Sequence, residues 1–452
     1  MTIRAAYGMY GDRAMMLAGT QVYFSSPFGN ILNNSGVNLT DPWVAAGGNP
    51  MPRLSTMQGI GVYDKNIPFF NNGNYVTTKM NDFDPVYMNQ WNLNIQRQIG
   101  QNWLVTANYV GNNTIHMITS ENINPAVFFP TQTFIGAANN IPTCTLPNGV
   151  TITGPAAATE AAKATAQCST VQNQQTRRVL NFVNSNDGRY YAAVGQLVDG
   201  GTASYEALNL SVQKRISSGL SGQANYTWSH CISDVYADNP TAGGVTIPGN
   251  RRLYRGNCSG IDRRQMFGMS MVATTPKFSN PTLRAVASDW QFAPIMSIAS
   301  AQFFSVWAGT DVALTTVPNQ PVILVDPANV YPKKQTAANW INRAAFATAP
   351  PGTYGNVAYN SFKGPGTFQL NMAVSRVFAI REKQSIQIRA EAFNLPNHVN
   401  LVTPGGAGPG GLGRALTFNS SNFGQITSDI SGNSGLQSGD YRIVQLAFKL
   451  IF

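Results

Sequence analysis

The sequence predicts an all-β protein, namely an antiparallel transmembrane β-barrel with long extracellular loops and short periplasmic turns. Three observations predict it: an unusual composition, apolar and polar residues that alternate in segments of about ten residues, and connections that are short and long in turn. Charged residues make up 11% of the 452 residues, and aromatic residues make up 10%. Because an average soluble chain has about 25% charged residues, this composition disfavours a disordered polyelectrolyte and a helical bundle.

The net charge does not indicate nucleic acid as a partner. The chain carries 30 Lys and Arg against 20 Asp and Glu, a formal charge of +10. Nucleic-acid binding usually needs clustered cations. The densest groups here are short, at residues 251–255, 263–264 and 333–334, in surroundings rich in Gly, Asn and Pro. We therefore expect no nucleic-acid partner.

The alternation defines the strands in chain order. In residues 91–99 the odd positions, Arg97 excepted, are apolar, and every even position is Asn or Gln. A two-residue period directs one side of a strand toward an apolar environment and the other toward water. The period recurs about ten times, in residues 3–9, 91–99, 103–109, 208–216, 220–228, 267–273, 290–298, 368–378, 386–392 and 444–452.

The connections between these strands differ in length in a regular way. The short ones lie near residues 100–102, 217–219, 276–288 and 379–385, and the long ones cover roughly residues 11–86, 112–203, 230–263, 300–365 and 394–440. Outer-membrane barrels have tight periplasmic turns at one end and long loops at the other. A soluble β-sandwich explains the alternation equally well but does not explain this asymmetry, so the membrane barrel is favoured.

Three cations occupy corresponding positions near one end of the strands. Arg97, Lys214 and Arg376 each stand on the apolar side of a strand that descends toward a short turn. A cation costs about 2–4 kcal/mol at the middle of a bilayer but about 0–1 kcal/mol at its interface, where a long side chain reaches the headgroups. We therefore predict that these residues are interfacial cations in contact with outer-membrane lipid.

The four cysteines indicate an oxidising compartment. Cys144 and Cys168 share one predicted outer loop, and Cys231 and Cys258 share another. Pairing within each loop is one of three possible connectivities, and each closure would stabilise the fold by about 3 kcal/mol. No Cys-x-x-Cys spacing occurs, so zinc is the weaker alternative, and we expect neither a metal nor a cofactor.

Apparent catalytic signals do not predict an enzyme. The three histidines, His116, His230 and His398, are too scattered in the sequence to indicate a triad or a metal site. Residues 406–411 match the pattern G-x-G-x-x-G, but no buried strand precedes them and no helix follows, so a dinucleotide site is not predicted. We expect a protein that is not an enzyme and has no catalytic residues.

One late strand indicates which residues face the barrel interior. Gln387, Arg389 and Glu391 alternate with Ile386, Ile388 and small apolar residues. We predict that the three polar residues face the lumen, where they line a channel or contact a plug. A simple solvated pair of Arg389 and Glu391 is the alternative.

Seven segments, in order along the chain, resemble the Oar-like TonB-dependent transporter barrels. The series begins with Phe83-Asp84-Pro85 and Gln90-Trp91-Asn92. The matching segments are residues 83–98, 205–215, 225–229, 262–264, 362–366, 389–398 and 423–426. Together they extend over most of the chain.

The resemblance implies a barrel of about 22 strands, closed by an N-terminal plug that couples to TonB. This chain has about ten strands and no visible signal peptide, plug or TonB box. We therefore expect residues 1–452 to be the C-terminal part of an outer-membrane barrel that lacks its N-terminal plug and barrel half, with TonB reached only through that plug. The alternative is that these strands close on themselves as a narrow barrel. Phe448, Leu450 and Phe452 resemble the signal read by the outer-membrane assembly machinery.

The implied function is substrate uptake or binding at the outer membrane of a Gram-negative bacterium, without covalent chemistry. Two alternatives stay open at this point. One is a surface protein of the outer membrane with an adhesive or structural role, and the other is a soluble extracellular β-module.

Overall fold

The computed structural model describes residues 1–12, 40, 73–78, 84–129, 133–134, 142–145, 151–153, 169–171, 173–188, 191–235, 250–258, 260–316, 320–381, 384–405, 416–430 and 441–452. In chain order the strands are β1 (Thr2–Gly11), β2 (Gly73–Thr78), β3 (Tyr87–Ile99), β4 (Trp103–Asn122), β5 (Thr133–Phe134), β6 (Pro142–Thr145), β7 (Thr151–Thr153), β8 (Tyr191–Ser217), β9 (Leu220–Ser233), β10 (Gly256–Asn257), β11 (Gln265–Thr274), β12 (Trp290–Ala299), β13 (Phe303–Phe304), β14 (Val306–Trp307), β15 (Ile323–Leu324), β16 (Phe346–Ala347), β17 (Phe362–Lys363), β18 (Thr367–Arg381), β19 (Gln384–Phe393), β20 (Leu416–Thr417) and β21 (Ile443–Ile451).

Helical structure is sparse in the described residues and belongs to the connections. The α-helices are α1 (Val179–Val183), α2 (Ser185–Gly188) and α3 (Pro281–Ala287), and short 3₁₀ turns cover Gln175–Arg177, Arg251–Tyr254, Pro327–Asn329 and Arg343–Ala345. Within this part of the chain, no helix has the length and apolar character needed to cross a membrane.

The long strands form one antiparallel sheet. Its order is β1-β3-β4-β8-β9-β11-β12-β18-β19-β21, so each long strand pairs with the next long strand along the chain. Two further strands attach to it, β2 in parallel beside β8 and β10 beside β9. The prediction of about ten antiparallel strands is confirmed.

The register aligns the apolar sides of neighbouring strands into one continuous face. Leu93 pairs with Ala5 on one side and with Tyr109 on the other. Near the opposite edge of the sheet, Phe448 pairs with Ile388 on β19. Because side chains alternate between faces, a slip of one residue would turn a whole strand over, so the sequence pattern and the register support each other.

This apolar face is exposed in the described part of the chain. Leu93 keeps 43% of its accessible surface, Leu446 keeps 72% and Phe448 keeps 74%. A soluble sandwich would instead pack the face against a second sheet. The sandwich and the soluble β-module are therefore wrong for the described residues, and lipid is the environment that suits the face.

Two strands are longer than the sequence predicts. β4 has 20 residues and β8 has 27, whereas about 9–11 residues cross a bilayer. The predicted loop over residues 112–203 is therefore wrong at both ends, because residues 112–122 and 191–203 continue the two strands. Strands pair through backbone hydrogen bonds, which do not require apolar and polar residues to alternate. Beyond the lipid no apolar environment imposes that alternation, so the sequence does not show that these strands continue. The connection predicted at 276–288 does lie between β11 and β12, and it contains the helix α3.

The sheet has two open edges among the described residues. β1 pairs only with β3, and β21 pairs only with β19. A row of unpaired backbone groups costs several kcal/mol per group in hydrocarbon. In the described residues the barrel is therefore not closed, and the backbone groups at both edges need partners before the sheet can lie in a bilayer.

Candidate functional site

Two of the predicted long loops pack together at one end of the sheet. The described parts of residues 300–365 and 394–430, here called the loop body, contain the pairs β13–β17 and β15–β16 and the parallel pair β14–β20. Their buried apolar side chains form one core, which consists of Phe304, Val306, Ala308, Val322, Val330, Ile341, Ala345, Phe346, Val357, Phe362, Leu416 and Phe423. The long loops thus present a folded surface.

Aromatic packing and one glycine explain two of the segments that carry the resemblance. Phe362 meets Phe346 edge to face with ring centroids 5.2 Å apart, and Phe423 meets the same ring at 5.7 Å. Gly424 has φ +83°, and a Cβ there would lie 2.5 Å from the Ile341 carbonyl oxygen. Both segments are therefore required by packing inside the loop body.

A disulfide and a buried carboxylate hold the loop that follows β9. Cys231 and Cys258 are bonded, with Cα atoms 5.4 Å apart and a sequence separation of 27. The Asp262 Oδ1 atom accepts a hydrogen bond from the Cys231 backbone N–H at 3.0 Å, and its Oδ2 atom accepts one from Arg264 Nε at 3.0 Å. The Asp262-Arg263-Arg264 segment thus stabilises this loop next to the disulfide.

A pair of buried arginines joins a second loop to the loop body. Arg177 donates to the carbonyl oxygens of Thr170 at 2.8 Å and Leu314 at 3.1 Å, and Arg178 donates to Asn124 O at 2.8 Å. Burial lowers the pKa of each guanidinium to about 10. A buried cation that donates to several carbonyls is costly to remove, so the loops on either side are held together. No pattern in the sequence indicates this contact.

The predicted lumen-facing residues lie on the polar side of the sheet. Gln387 pairs with Lys449, and Glu391 pairs with Gln445 on β21. Arg389 forms an ion pair with Glu391 along the same strand. The polar side is the one opposite the exposed apolar face, but a part in lining a channel stays a prediction.

Two of the three predicted interfacial cations, Lys214 and Arg376, have aromatic and turn partners at the short-connection end. Lys214 lies 5.5 Å from the centre of the Trp103 ring and donates to Ser217 Oγ at 2.8 Å. The Arg376 guanidinium lies 4.6 Å from the Phe378 ring centre and donates to the carbonyl of Val286.

Arg97 is exposed near the end of β3. The contacts of Lys214 and Arg376 with aromatic rings suit a belt of amphipathic side chains at a membrane surface. The interfacial position of all three cations is still a prediction.

The remaining features of the sequence analysis lie either at the C-terminal edge strand or outside the described residues. Phe448, Leu450 and Phe452 are all exposed at the C-terminal edge strand, and their part in assembly stays a prediction. Cys168 lies outside the described residues, so its pairing with Cys144 stays a prediction too. The glycine pattern at 406–411 also lies outside them.

The structure brings together one histidine and two aspartates that no sequence pattern connects. His116 Nδ1 lies 3.7 Å from a carboxylate oxygen of Asp84 and 3.7 Å from one of Asp199. The expectation that the histidines are too scattered for a metal site is therefore incomplete, because the fold supplies acidic neighbours from 32 residues before and 83 residues after His116. No sequence spacing could have revealed them, because β-sheet pairing brings together distant residues.

Comparisons with known proteins give one family match and two weak structural similarities. A family model described as "Outer membrane beta barrel domain" matches residues 1–445. Among solved structures, the chain is similar to the outer membrane transporter YddB from Escherichia coli, with 10% identity and a TM-score of 0.37, over 84% of this chain and 34% of that one. It is also similar to a Pseudomonas aeruginosa FadL homologue, with 9% identity and a TM-score of 0.20, over 81% of this chain and 67% of that one.

These similarities differ in weight. Both TM-scores are too low to carry an argument, and the chain spans about a third of the length of the YddB chain. A search of curated proteins finds no match. The family match is the finding that counts, since it extends over nearly the whole chain.

Proposed function

The chain belongs to the outer membrane beta barrel domain family, and from that premise we propose that it is the barrel region of an Oar-like, TonB-dependent transporter. In this proposal the long loops bind a substrate at the outer membrane, and the barrel admits it. The activity consists of binding and passage, with no covalent step. The observation that carries the proposal is the sheet itself, in which ten strands align one exposed apolar face against one polar face.

The open edges support the part of the proposal that concerns barrel size. Closing ten strands on themselves would give a lumen little wider than that of an eight-stranded barrel, which side chains already fill. Pairing β1 and β21 with further strands would satisfy the unpaired backbone and widen the barrel toward about 22 strands, a size that holds a plug. We therefore propose an N-terminal barrel half and plug as partners, with TonB acting through the plug.

The loop body supports the part that concerns substrate binding. Its core and the buried arginines hold separate loops in one arrangement. A surface that is ordered before binding loses less conformational entropy when a ligand arrives. The same property would serve an adhesive protein equally well, so the surface-binding alternative is kept as the second candidate.

Uptake measurements separate the two candidates. Cells with the complete gene and cells with the gene deleted would be given radiolabelled oligosaccharides, oligopeptides and chelated iron, with and without a protonophore. The proposal predicts gene-dependent accumulation that the protonophore abolishes, because TonB draws on the proton gradient. Gene-dependent surface binding without accumulation, for every ligand bound, would contradict transport and support adhesion.

A further inference from the structure

We propose that Asp84, His116 and Asp199 form a binding site for a divalent transition-metal ion at the loop end of the sheet. One ligand atom from each residue lies within 4.8 Å of the other two. The residues come from three separate segments, namely the residues before β3, the middle of β4 and the first half of β8. A cation bound there would join all three.

Two of the three distances between ligand atoms suit an ion in the middle of the group. Metal–nitrogen and metal–oxygen bonds to zinc are about 2.0–2.2 Å long, so ligand atoms around one ion lie about 3–4 Å apart. The Nδ1 atom of His116 is 3.7 Å from the Oδ2 atom of Asp84 and 3.7 Å from that of Asp199. These distances exceed a hydrogen bond and leave room for an ion between the atoms.

The local fold aims the three side chains at one point. The register between β4 and β8 shifts on both sides of Met117, and such bulges redirect side chains. His116 itself has φ +59°, and its ring lies 5.6 Å from the ring of Tyr87. The Asp84 backbone N–H donates to Asp199 Oδ2 at 2.7 Å, which orients that carboxylate.

A small apolar cluster next to the site fixes the same three segments. Val86, two residues after Asp84, packs against Ile118 and Leu197, which are both buried. The Asp199 side chain is 19% exposed and that of His116 is 30% exposed, whereas that of Asp84 is 70% exposed. The site is therefore partly preformed and open on the side of Asp84, where an ion can enter.

The ligand set indicates which cations fit. One imidazole and two carboxylates suit zinc, cobalt or manganese, whereas calcium and magnesium prefer oxygen ligands alone. Two carboxylates also carry a charge of about −2, which a divalent ion neutralises. The rival interpretation is an ion pair between a protonated His116 and the two aspartates, with no metal bound.

Calorimetric titration with Zn²⁺ tests the site in the full-length protein, purified in detergent without a polyhistidine tag and with its disulfides oxidised. Asp84→Asn is the cleanest variant, because the exposed side chain changes little in volume and the backbone N–H that holds Asp199 is kept. His116→Gln is a second variant, and His398→Gln is the matched control. Near-ultraviolet circular dichroism checks that each variant is folded.

The proposal predicts one saturable Zn²⁺ site per chain that excess Ca²⁺ does not displace. Asp84→Asn and His116→Gln should each weaken binding more than about tenfold, and His398→Gln should not change it. An unchanged affinity in folded Asp84→Asn, or no saturable binding by the unaltered protein, would overturn the proposal and leave only the ion pair. Neither result depends on whether the protein transports anything.

Discussion

Placing an arginine at mid-strand on the apolar face should destabilise the protein strongly. Leu210 stands on this face of β8, four residues from Lys214, and pairs with Ala107 and Tyr226. At about 3.3 Å per residue and a strand tilt of about 40°, four residues correspond to about 10 Å of depth. Since the apolar band of a barrel is about 25 Å tall, Leu210 lies near its middle if Lys214 lies at its edge.

The expected cost follows from that depth. Leu210→Arg should lower the free energy of unfolding by about 2–4 kcal/mol. Ile216→Arg, beyond Lys214 at the turn where the register of β8 and β9 shifts, should lower it by about 0–1 kcal/mol. The two substitutions introduce the same side chain into one strand, so their difference isolates depth in the membrane.

Urea unfolding of the full protein in phosphatidylcholine vesicles provides the measurement. Tryptophan fluorescence and heat-dependent mobility on gels report the folded fraction. The reasoning is refuted if Leu210→Arg and Ile216→Arg cost the same within about 0.5 kcal/mol, because an aqueous surface would treat both alike.

Three other predictions concern the loop end. Cys258→Ser should remove about 3 kcal/mol of stabilisation from the loop closed by Cys231 and speed its proteolysis; cleavage at the unaltered rate would contradict a structural disulfide. Gly424→Ala should destabilise the loop body by more than about 1 kcal/mol through its positive φ and the nearby Ile341 carbonyl, measured by hydrogen exchange, and unchanged protection would argue against it. Burial raises the pKa of Tyr254 above its ordinary value, so its contribution to stability is complete below pH 10 and is lost as pH rises further; alkaline denaturation of Tyr254→Phe should lack this component, and an identical pH profile would be the contrary result.

The sequence predicts the membrane-facing strands well because lipid imposes a strict rule on them. Every second residue of such a strand must be apolar, so residues 91–99 and 386–392 are recognisable from their alternation, and the structure places them in β3 and β19. The same rule predicts which residues share a face. Lys214 and Arg376 stand on the apolar side, where the alternation puts them.

Outside the lipid, apolar and polar residues need not alternate, so the sequence does not predict the structure there. Residues 191–203 of β8 continue the strand through backbone pairing, which requires no alternation of apolar and polar side chains. The core of the loop body joins Phe304 to Phe423 across more than one hundred residues, and contacts of that separation depend on the whole fold. The proximity of His116 to Asp84 and Asp199 could not be predicted for the same reason.

The orientation of the sheet in the membrane can be measured directly by spin labelling. Nitroxides at positions 93, 94, 95 and 96 of the full protein in vesicles would be tested for collision with oxygen, which concentrates in lipid, and with a water-soluble nickel chelate. The account predicts that labels at Leu93 and Ile95 collide with oxygen and that labels at Asn94 and Gln96 collide with the chelate. Labels at Leu93 and Ile95 that are shielded from both reagents would place these residues in a protein core and contradict the account.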